Sequence, residues 1–335
     1  MPKHDLAAAV RALWAQAQTA AIVSHINPDG DAVGSLLGLG HMLRDAGLQV
    51  TLALADPVPD SLHFLPGVTD IVRRITARPD VLIAVDSGDR ERLGDAVPRH
   101  WTIDLNIDHH KTNTYYGRVN VVEPDAPSTT AVLAQHAAAW GLRIGPAAAQ
   151  ALLTGLLTDT LGLRTASVTP DTLRLAASLM ERGADLSTAY YEALVARSLA
   201  EIRYLGRGKA RAQMAGGVIW SYLTRADRDE TGFAIPDDAG LVNALLNARE
   251  ADIAVVFIET DQPDVVKISW RAKAGWDVGE LARAFGGGGH AAAAGARVPG
   301  SLDAVREQVL AATVAFHRTR QVPQSVGARR GSTNP

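Results

Sequence analysis

The chain has 335 residues, contains no cysteine and carries a formal net charge of −3, from 33 basic against 36 acidic residues. Without cysteine there can be no disulfide, iron–sulfur cluster or catalytic thiol, so any metal must be held by His, Asp or Glu. The near-neutral charge excludes an overall basic field for long nucleic acids and leaves a local basic patch open. The N-terminus lacks the layout of a signal peptide, and no apolar run reaches the about 20 residues of a membrane span. We therefore expect a cytoplasmic protein without a membrane partner.

The first part of the chain alternates strand and helix signals. Four short apolar runs are typical of buried strands. They lie at residues 20–25, 50–55, 81–85 and 101–107. A helix is predicted at 32–46, where the apolar residues have helical spacing and Gly47 closes the pattern. Buried strands separated by helices predict an α/β fold with a mostly parallel sheet covered on both faces.

Helices dominate the middle of the chain, and a second, smaller α/β domain follows. The middle helices are predicted at residues 129–140, 146–161, 171–182 and 187–213. The second domain is predicted to have strands at 218–223, 253–259 and 265–271, with helices near 238–249, 278–285 and 302–319. We assign 1–190 to a catalytic domain, 191–215 to a helical linker and 216–320 to a substrate-binding domain. The polar, basic stretch 321–335 is predicted to be a disordered tail.

Four short stretches of the first domain are rich in aspartate and histidine, and three of them begin where a predicted strand ends. They are Ser24-His25-Ile26-Asn27-Pro28-Asp29-Gly30-Asp31, Val85-Asp86-Ser87, Asp108-His109-His110 and Thr158-Asp159-Thr160. Ligands of open α/β sheets bind beyond the carboxyl ends of the strands. Carboxylates mixed with imidazoles suit a divalent ion such as Mn²⁺. Because two such ions roughly 3.5–4 Å apart are used to hydrolyse phosphate esters, the stretches predict a two-metal phosphoesterase site.

Taken singly, most of these stretches have an ordinary structural explanation. Residues 27–30 could form a simple turn with Asp31 as a helix cap, and Asp86 could cap the turn after its strand. Asp159 is harder to explain, because it lies in an apolar helical stretch where a carboxylate without a partner is costly. Two histidines directly after Asp108 are also uncommon. The presence of all four stretches in one chain favours the metal site.

A glycine run in the second domain, at residues 286–289, directly precedes His290. Its backbone amides can approach an anion closely, and His290 adds a side-chain donor. Arg271 ends a predicted strand shortly before, and its guanidinium fork suits phosphate. The alternatives are a flexible turn for the glycines and an ordinary surface position for Arg271. We predict a phosphate-binding site. Its residues are Arg271, Gly287, Gly288, Gly289 and His290.

These motifs resemble those of the DHH phosphoesterase superfamily, named after the triplet Asp108-His109-His110. The second domain resembles the DHH-associated domain through residues 267–271 and 286–290. The resemblance covers residues 15–318. Its length and layout are similar to the stand-alone group of bifunctional oligoribonucleases that also act as phosphatases on 3′-phosphoadenosine 5′-phosphate. It implies a mostly parallel DHH domain joined by a helical linker to the smaller domain, and an enzyme that degrades very short RNA from its end.

The resemblance also implies a role for each matching side chain. One Mn²⁺ would be bound by His25 and Asp29 and the other by Asp31, His109 and Asp159, with Asp86 between the two. Mg²⁺ and Co²⁺ are alternative ions. Asp108 would orient the histidines, and His110 would lie near the leaving oxygen or a phosphate as a hydrogen-bond donor or general acid.

Three further positions are candidates for substrate contact. Arg164 follows the helix that carries Asp159, Ser128-Thr129 stands at a helix start, and Asn113 resembles a family position in the site. For Ser128 an N-cap role explains the residue equally well. One departure from the family is Ala291, where many relatives carry Lys or Arg. This departure weakens the case for activity on 3′-phosphoadenosine 5′-phosphate.

The favoured function is that of a two-metal exonuclease on short single-stranded oligonucleotides or nucleotides. A phosphodiesterase for cyclic di-AMP or its product pApA would use the same motifs and stays open. The glycine run with His290 argues against an inorganic pyrophosphatase, and the length leaves little room for the extra domains of a long-DNA exonuclease. A catalytically inactive nucleotide sensor would have lost ligands, whereas all six are present. A homodimer is left open by the resemblance.

Overall fold

The computed structural model describes residues 3–320, with side chains from residue 6 onward. The predicted disordered tail, 321–335, lies outside these residues. The chain divides between Ala196 and Arg197 into two compact units. This division falls inside the stretch 191–215 that the sequence assigns to a linker. Within the described range, none of the helices has the length and apolar character needed to cross a membrane.

The first unit contains a six-stranded sheet with helices packed against it. Its strands are β1 (Thr19–Val23), β2 (Gln49–Ala53), β3 (Ile71–Val72), β4 (Val81–Val85), β5 (Leu105–Asp108) and β6 (Val119–Val122). Its helices are α1 (Lys3–Ala15), α2 (Gly30–Asp45), α3 (Thr129–His136), α4 (Pro146–Asp159), α5 (Pro170–Glu181) and α6 (Leu186–Tyr190). Short 3₁₀ turns lie at Asp60–Leu62, Val68–Asp70 and Glu91–Ala96, and a π-helical turn lies at Tyr191–Val195. The expected α/β class is confirmed.

The strand order of the first sheet is β3-β2-β1-β4-β5-β6, and every neighbouring pair is parallel. Strands β4 and β5 are buried along their whole length, and β4 is apolar throughout, as expected for a strand covered on both faces. From β1 the sheet is extended first on one side, by β2 and β3. The chain then crosses to the other side of β1 and adds β4, β5 and β6. The order therefore reverses between β1 and β4, and a crevice is expected beyond the carboxyl ends of these two strands.

Helices α2 and α4 pack unusually closely through glycines on α2. These are Gly30, Gly34 and Gly38. A Cβ atom at Gly34 would lie 2.6 Å from the carbonyl oxygen of Ala151, and one at Gly30 would lie 2.2 Å from Oγ1 of Thr158. The first turn of α2 thus meets the last turn of α4, so the helices run antiparallel. As a consequence, the acidic residues at these two helix ends lie at the same edge of the sheet.

The second unit contains a mixed sheet of order β11-β12-β10-β9-β8-β7. Its strands are β7 (Gln213–Ala215), β8 (Val218–Leu223), β9 (Ile253–Glu259), β10 (Val265–Ala272), β11 (Gly288–His290) and β12 (Ala293–Pro299). Its helices are α7 (Leu199–Ala210), α8 (Arg225–Thr231), α9 (Leu241–Leu246), α10 (Val278–Ala284) and α11 (Leu302–Arg320). Strands β8 and β9 are parallel, and the other neighbouring pairs are antiparallel.

Among the sequence expectations that differ from the structure are those for the stretch 187–213 and for the glycine run. The single helix expected over 187–213 is interrupted after Val195, and α7 starts anew at Leu199. The hydroxyl of Ser198 accepts a hydrogen bond from the amide of Glu201, so a serine N-cap creates the second start. The glycine run, for which a turn was an alternative, contributes β11, an edge strand paired with β12.

Candidate metal centre and phosphate-binding cavity

The acidic and histidine stretches of the first unit converge at the carboxyl edge of its sheet. His25 lies two residues beyond β1, Asp86 directly follows β4, and His109 directly follows β5. Asp159 is the last residue of α4. Asp86 has a φ of 53°, a left-handed conformation that is uncommon for residues other than glycine and is often retained at functional sites. The site therefore lies at the strand-order reversal, as expected for this fold.

The first group of possible ligands surrounds Nε2 of His25. This atom lies 3.5 Å from Oδ2 of Asp86 and 3.8 Å from Oδ1 of Asp29. Asp29 also caps α2, because its Oδ1 accepts hydrogen bonds from the amides of Asp31 and Ala32. His25 and Asp86 are buried, whereas the side chain of Asp29 is 62% exposed, which leaves this group open toward solvent on one side.

The second group surrounds Nε2 of His109. This atom lies 3.6 Å from Oδ2 of Asp159, 3.9 Å from Oδ2 of Asp31 and 3.8 Å from Oδ1 of Asp86. Asp86 thus contacts both histidines, one through each of its oxygens. The ligand atoms of His25, Asp29 and Asp86 lie close enough to share one ion, as do those of Asp31, His109 and Asp159. Asp86 and His109 form a third such cluster with His110. The structure brings all six sequence-predicted ligands together in two groups joined by Asp86.

Hydrogen bonds orient both histidines for ligation through Nε2. Nδ1 of His25 donates to the carbonyl oxygen of Ile26 at 2.8 Å, and Nδ1 of His109 donates to that of Ala126 at 3.2 Å. A carbonyl oxygen can only accept, so the proton is on Nδ1 and the lone pair of a neutral ring is on Nε2. This is the arrangement that commonly fixes the tautomer of metal-binding histidines.

The electrostatics of the centre fit a bound cation. Burial and the charges of Asp86 and Asp159 hold the pKa of Asp31 well above its usual range. Burial raises the pKa of Asp159 to about 6, with His109 opposing the rise. Burial lowers the pKa of His25, but its contacts with Asp29 and Asp86 outweigh this and raise it to about 10. Crowded carboxylates that favour protons would be neutralised by a divalent ion, and the oxygen and imidazole donors match one.

Asp108 and His110 form a hydrogen-bonded pair that adjoins these groups, since Nδ1 of His110 lies 3.8 Å from Oδ1 of Asp86. Nδ1 of His110 lies 2.7 Å from Oδ1 of Asp108, and this contact raises the pKa of His110 although burial opposes it. Oδ2 of Asp108, which is fully buried, accepts from Nδ2 of Asn113 at 2.6 Å. Burial raises the pKa of Asp108, but the hydrogen bonds from His110 and Asn113 outweigh burial, so the pKa lies below its usual value.

Three residues predicted from the sequence to contact substrate differ in burial and in their hydrogen bonds. Asn113 is buried, and its amide group bonds to Asp108, Asn106 and the amide of Tyr115, so it supports the site from within. Ser128 is fully buried and caps α3 by accepting from the amide of Ala131, which is the alternative role considered above. Arg164 is exposed beyond the end of α4. Direct substrate contact by these residues stays a prediction, and burial disfavours it for the first two.

The second unit contains a cavity of about 650 Å³. Arg271 and the glycines Gly287, Gly288 and Gly289 line its wall, whereas His290 is exposed at the end of β11 and lies outside this wall. Lys267 and Arg297 also line it, and these residues are direct cross-strand neighbours on β10 and β12. Nζ of Lys267 lies 3.0 Å from Oδ1 of Asp237 at the cavity. The amides of Gly286 and Gly287 already donate to the carbonyl oxygens of Arg283 and Ala282. The cavity therefore combines a glycine wall with three cationic side chains suited to phosphate, and Asp237 and Asp238 add two carboxylates to its lining.

Sequence reasoning missed part of these two sites. Lys267 belongs to the stretch 267–271 that resembles the family. Because it is four residues from Arg271 on one strand, the two side chains could have been predicted to lie on the same face. Arg297 and Asp237 gave no such signal, because their proximity depends on strand register and on a loop. Thr130, which contacts Asp31, was likewise missed, since nothing local distinguishes it from other helix-start residues.

Comparisons with known proteins agree with the geometry. Residues 19–156 match the family model of the DHH family N-terminal domain, and residues 232–315 match that of the DHHA1 domain. A Thermus thermophilus protein named bifunctional oligoribonuclease and PAP phosphatase NrnA is 34% identical over 294 residues, which cover 87% of this chain and 88% of the relative. A Bacillus subtilis protein of the same name is 26% identical over 279 residues, covering 82% and 87%.

A solved structure has the same fold over nearly the whole chain. It is that of an exopolyphosphatase-related protein from Bacteroides fragilis, with a TM-score of 0.85 at 24% identity, covering 94% of this chain and 98% of the other. This likeness shows the fold, and the family is shown by the 34% identical relative, 88% of whose length is covered. The chain belongs to the DHH family, with a DHHA1 domain over residues 232–315.

Proposed function

We propose that this protein is a metal-dependent phosphoesterase that hydrolyses short single-stranded oligonucleotides from their ends, with 3′-phosphoadenosine 5′-phosphate as a second substrate. The observation that carries this proposal is the pair of His–Asp groups joined by Asp86. A shared carboxylate between two groups of hard ligands is the arrangement expected of a two-ion hydrolase. Two relatives named as bifunctional oligoribonuclease and PAP phosphatase support the substrate class.

The residues of the first unit would hold two ions, for which we propose Mn²⁺, with Mg²⁺ and Co²⁺ as alternatives. The first would be held by His25, Asp29 and Asp86, and the second by Asp31, His109 and Asp159. Asp86 would also serve the second ion, because its Oδ1 lies 3.8 Å from Nε2 of His109. When bound, such ions polarise a phosphoryl oxygen and lower the pKa of water. Asp29, Asp159 and His110 are partly exposed, so the centre is accessible to a phosphate ester on this side.

His110 would act as the proton donor to the leaving oxygen. Its Nδ1 is held by Asp108, so its Nε2 is the atom that remains for the substrate. Asp108 is in turn held by Asn113, and the side chain of His110 is 34% exposed. The buried part of this chain therefore orients a ring whose outer edge reaches solvent. This geometry suits general-acid catalysis, which requires a positioned group within hydrogen-bond reach of the reacting oxygen.

The second unit would hold the phosphates of the nucleotide. Arg271 would bind the terminal phosphate against the wall formed by Gly287, Gly288 and Gly289. His290, which is exposed at the end of β11, is a further proposed contact. Lys267 and Arg297 add positive charge to the same cavity. They could supply the cation that many relatives carry where this chain has Ala291. We therefore retain a nucleotide with two phosphates as a proposed substrate.

We further propose that 1–190 is the catalytic domain and 216–320 the substrate-binding domain, with 191–215 as the linker. A cytoplasmic location and a homodimer stay predictions from the sequence. Light scattering on the purified full chain would measure its mass in solution and test the dimer directly.

A substrate panel tests the proposed function. The full chain with Mn²⁺ would be incubated with 5′-labelled oligoribonucleotides from dinucleotides upward, and with 3′-phosphoadenosine 5′-phosphate, pApA, cyclic di-AMP and pyrophosphate. We expect fastest turnover of the shortest oligonucleotides and loss of turnover in a chelator. Preferred cleavage of cyclic di-AMP or pApA would establish the alternative phosphodiesterase function. Cleavage of pyrophosphate alone would exclude both.

Replacing Arg271 by Met should raise KM for short oligonucleotides by about 10- to 100-fold, because a hydrogen-bonded charge on the substrate phosphate loses its partner. The value of kcat should change less, since the metal centre is intact. Arg225→Met is the matched control, because this arginine bonds to the carbonyl oxygen of Thr260 and does not line the cavity. Steady-state kinetics on a dinucleotide measures both constants. Equal KM values for the two variants would contradict phosphate binding by Arg271.

A further inference from the structure

The start of α3 contacts two of the proposed ligands at once. The amide of Thr129 donates to Oδ2 of Asp31 at 2.6 Å, and its hydroxyl donates to Oδ1 of Asp86 at 2.8 Å. Thr129 is fully buried, so its hydroxyl has no access to solvent. Asp31 and Asp86 come from different parts of the chain, and a single residue therefore connects one carboxylate of the second group with the carboxylate that both groups share.

Thr130 completes the fixation of Asp31. Its amide and its hydroxyl both donate to Oδ1 of Asp31, at 3.0 and 2.7 Å. An ionised carboxylate can accept about four hydrogen bonds, two on each oxygen. The two bonds from Thr130 occupy both acceptor sites of Oδ1, and the bond from the Thr129 amide occupies one of the two on Oδ2. One acceptor site on Oδ2 remains, and Oδ2 is the oxygen nearest to Nε2 of His109. Asp31 is thereby restricted to a single oxygen as metal ligand.

The same count applies to Asp86. The hydroxyl of Thr129 takes one acceptor site of Oδ1, the oxygen that lies 3.8 Å from Nε2 of His109. Oδ2 faces His25 at 3.5 Å. Without the hydroxyl bond the carboxylate could rotate about its χ2 torsion, which is intrinsically broad. The bond therefore holds one oxygen of Asp86 toward each histidine.

We propose that Thr129 is a positioning residue that fixes the rotation of Asp86 and its spacing from Asp31, so that Asp86 can serve both metal groups. This inference rests on the proposed function. The bond from the Thr129 amide belongs to the backbone and survives substitution, whereas the bond to Asp86 depends on the hydroxyl alone. The two contributions can therefore be separated by mutation. A role in packing only would depend on the side chain's volume instead.

The test compares Thr129→Val, which keeps the volume and loses the hydroxyl, with Thr129→Ser, which keeps the hydroxyl and loses the methyl group. Metal-free full chain would be titrated with Mn²⁺ by calorimetry, and its thermal unfolding measured without metal. Loss of a group that orients a metal ligand typically weakens affinity about 10- to 100-fold. We expect this loss for Thr129→Val and near-normal affinity for Thr129→Ser. A packing role would give the opposite order, with the serine variant affected more.

Thr154→Val is the matched control. Thr154 is also fully buried, but its hydroxyl donates to the carbonyl oxygen of Gln150 within α4 and contacts no carboxylate. Its affinity for Mn²⁺ should equal that of the unmodified chain. Equal affinity of Thr129→Val and Thr154→Val would overturn the positioning role while leaving the proposed function intact. Failure of the unmodified chain to bind Mn²⁺ would overturn both.

Discussion

Replacing Asp86 by Asn should lower kcat for short oligonucleotides by at least about 10³-fold, because it removes the negative charge that both His–Asp groups share. The amide has the size of the carboxylate, and its oxygen can still accept the hydrogen bond from Thr129. The fold should therefore persist, and the loss should be one of metal binding and charge. Metal analysis after equilibration with Mn²⁺ should find fewer ions per chain than in the unmodified protein.

Two comparisons make this result specific. Asp104→Asn is the matched control, because Asp104 is also buried but precedes β5 at the opposite edge of the sheet, where it pairs with Arg78. It should cost stability and leave kcat per folded molecule unchanged. Asp29→Asn and Asp159→Asn each alter one group, so each should weaken one ion while Asp86→Asn weakens both. Two tightly bound ions and undiminished turnover in Asp86→Asn would contradict a shared ligand.

The elements that surround the metal centre could be predicted from the sequence because their signals are local. Strand β4 matches the predicted run 81–85 residue for residue, since a strand buried on both faces is apolar throughout. Asp86 and His109 directly follow their strands, so a parallel sheet alone brings them to one edge. The position of strand ends in an α/β sheet therefore predicts this shared edge from the sequence alone.

The contacts that orient the proposed ligands could not be predicted, because they join distant positions. The amide of Thr129 bonds to Asp31 across 98 positions of sequence, and nothing in either segment indicates the partner. The same holds for the second unit, where Arg297 lies beside Lys267 only through the register of β12 against β10. Strand β12 itself was missed, because its start is made of alanine and glycine, which lack the β-branched signal of a strand.

Helix packing is a further determinant of the metal centre that leaves only a weak mark in the sequence. The glycines of α2 recur every four residues, which places them on one helix face. That face lies against α4, so the backbones approach without intervening side chains. Asp31 lies in the first turn of α2, and Asp159 is the last residue of α4. The distance between Asp31 and Asp159, two proposed ligands of the same ion, therefore depends on the glycines of α2, which have no side chain to hold the helices apart.

Replacing Gly34 by Ala tests this dependence. The new Cβ would lie 2.6 Å from the carbonyl oxygen of Ala151 and 3.1 Å from the backbone of Gly155, so no side-chain rotation can relieve the clash and the helices must separate. Overpacking of this kind typically costs about 1–3 kcal/mol of unfolding free energy, against a gain in helix propensity of about 1 kcal/mol. We expect lower stability and, because Asp31 and Asp159 move apart, weaker Mn²⁺ binding.

Gly206→Ala is the matched control for this prediction. Gly206 also lies inside a helix, α7, but a Cβ there would meet nothing within 4 Å. Only the gain in helix propensity from glycine to alanine applies here. This variant should therefore unfold at the same or a higher denaturant concentration and should bind Mn²⁺ normally. Chemical unfolding of the metal-free chains and Mn²⁺ titration measure the two effects separately. If Gly34→Ala kept full stability and affinity, close packing of α2 on α4 could not be what sets the distance between Asp31 and Asp159.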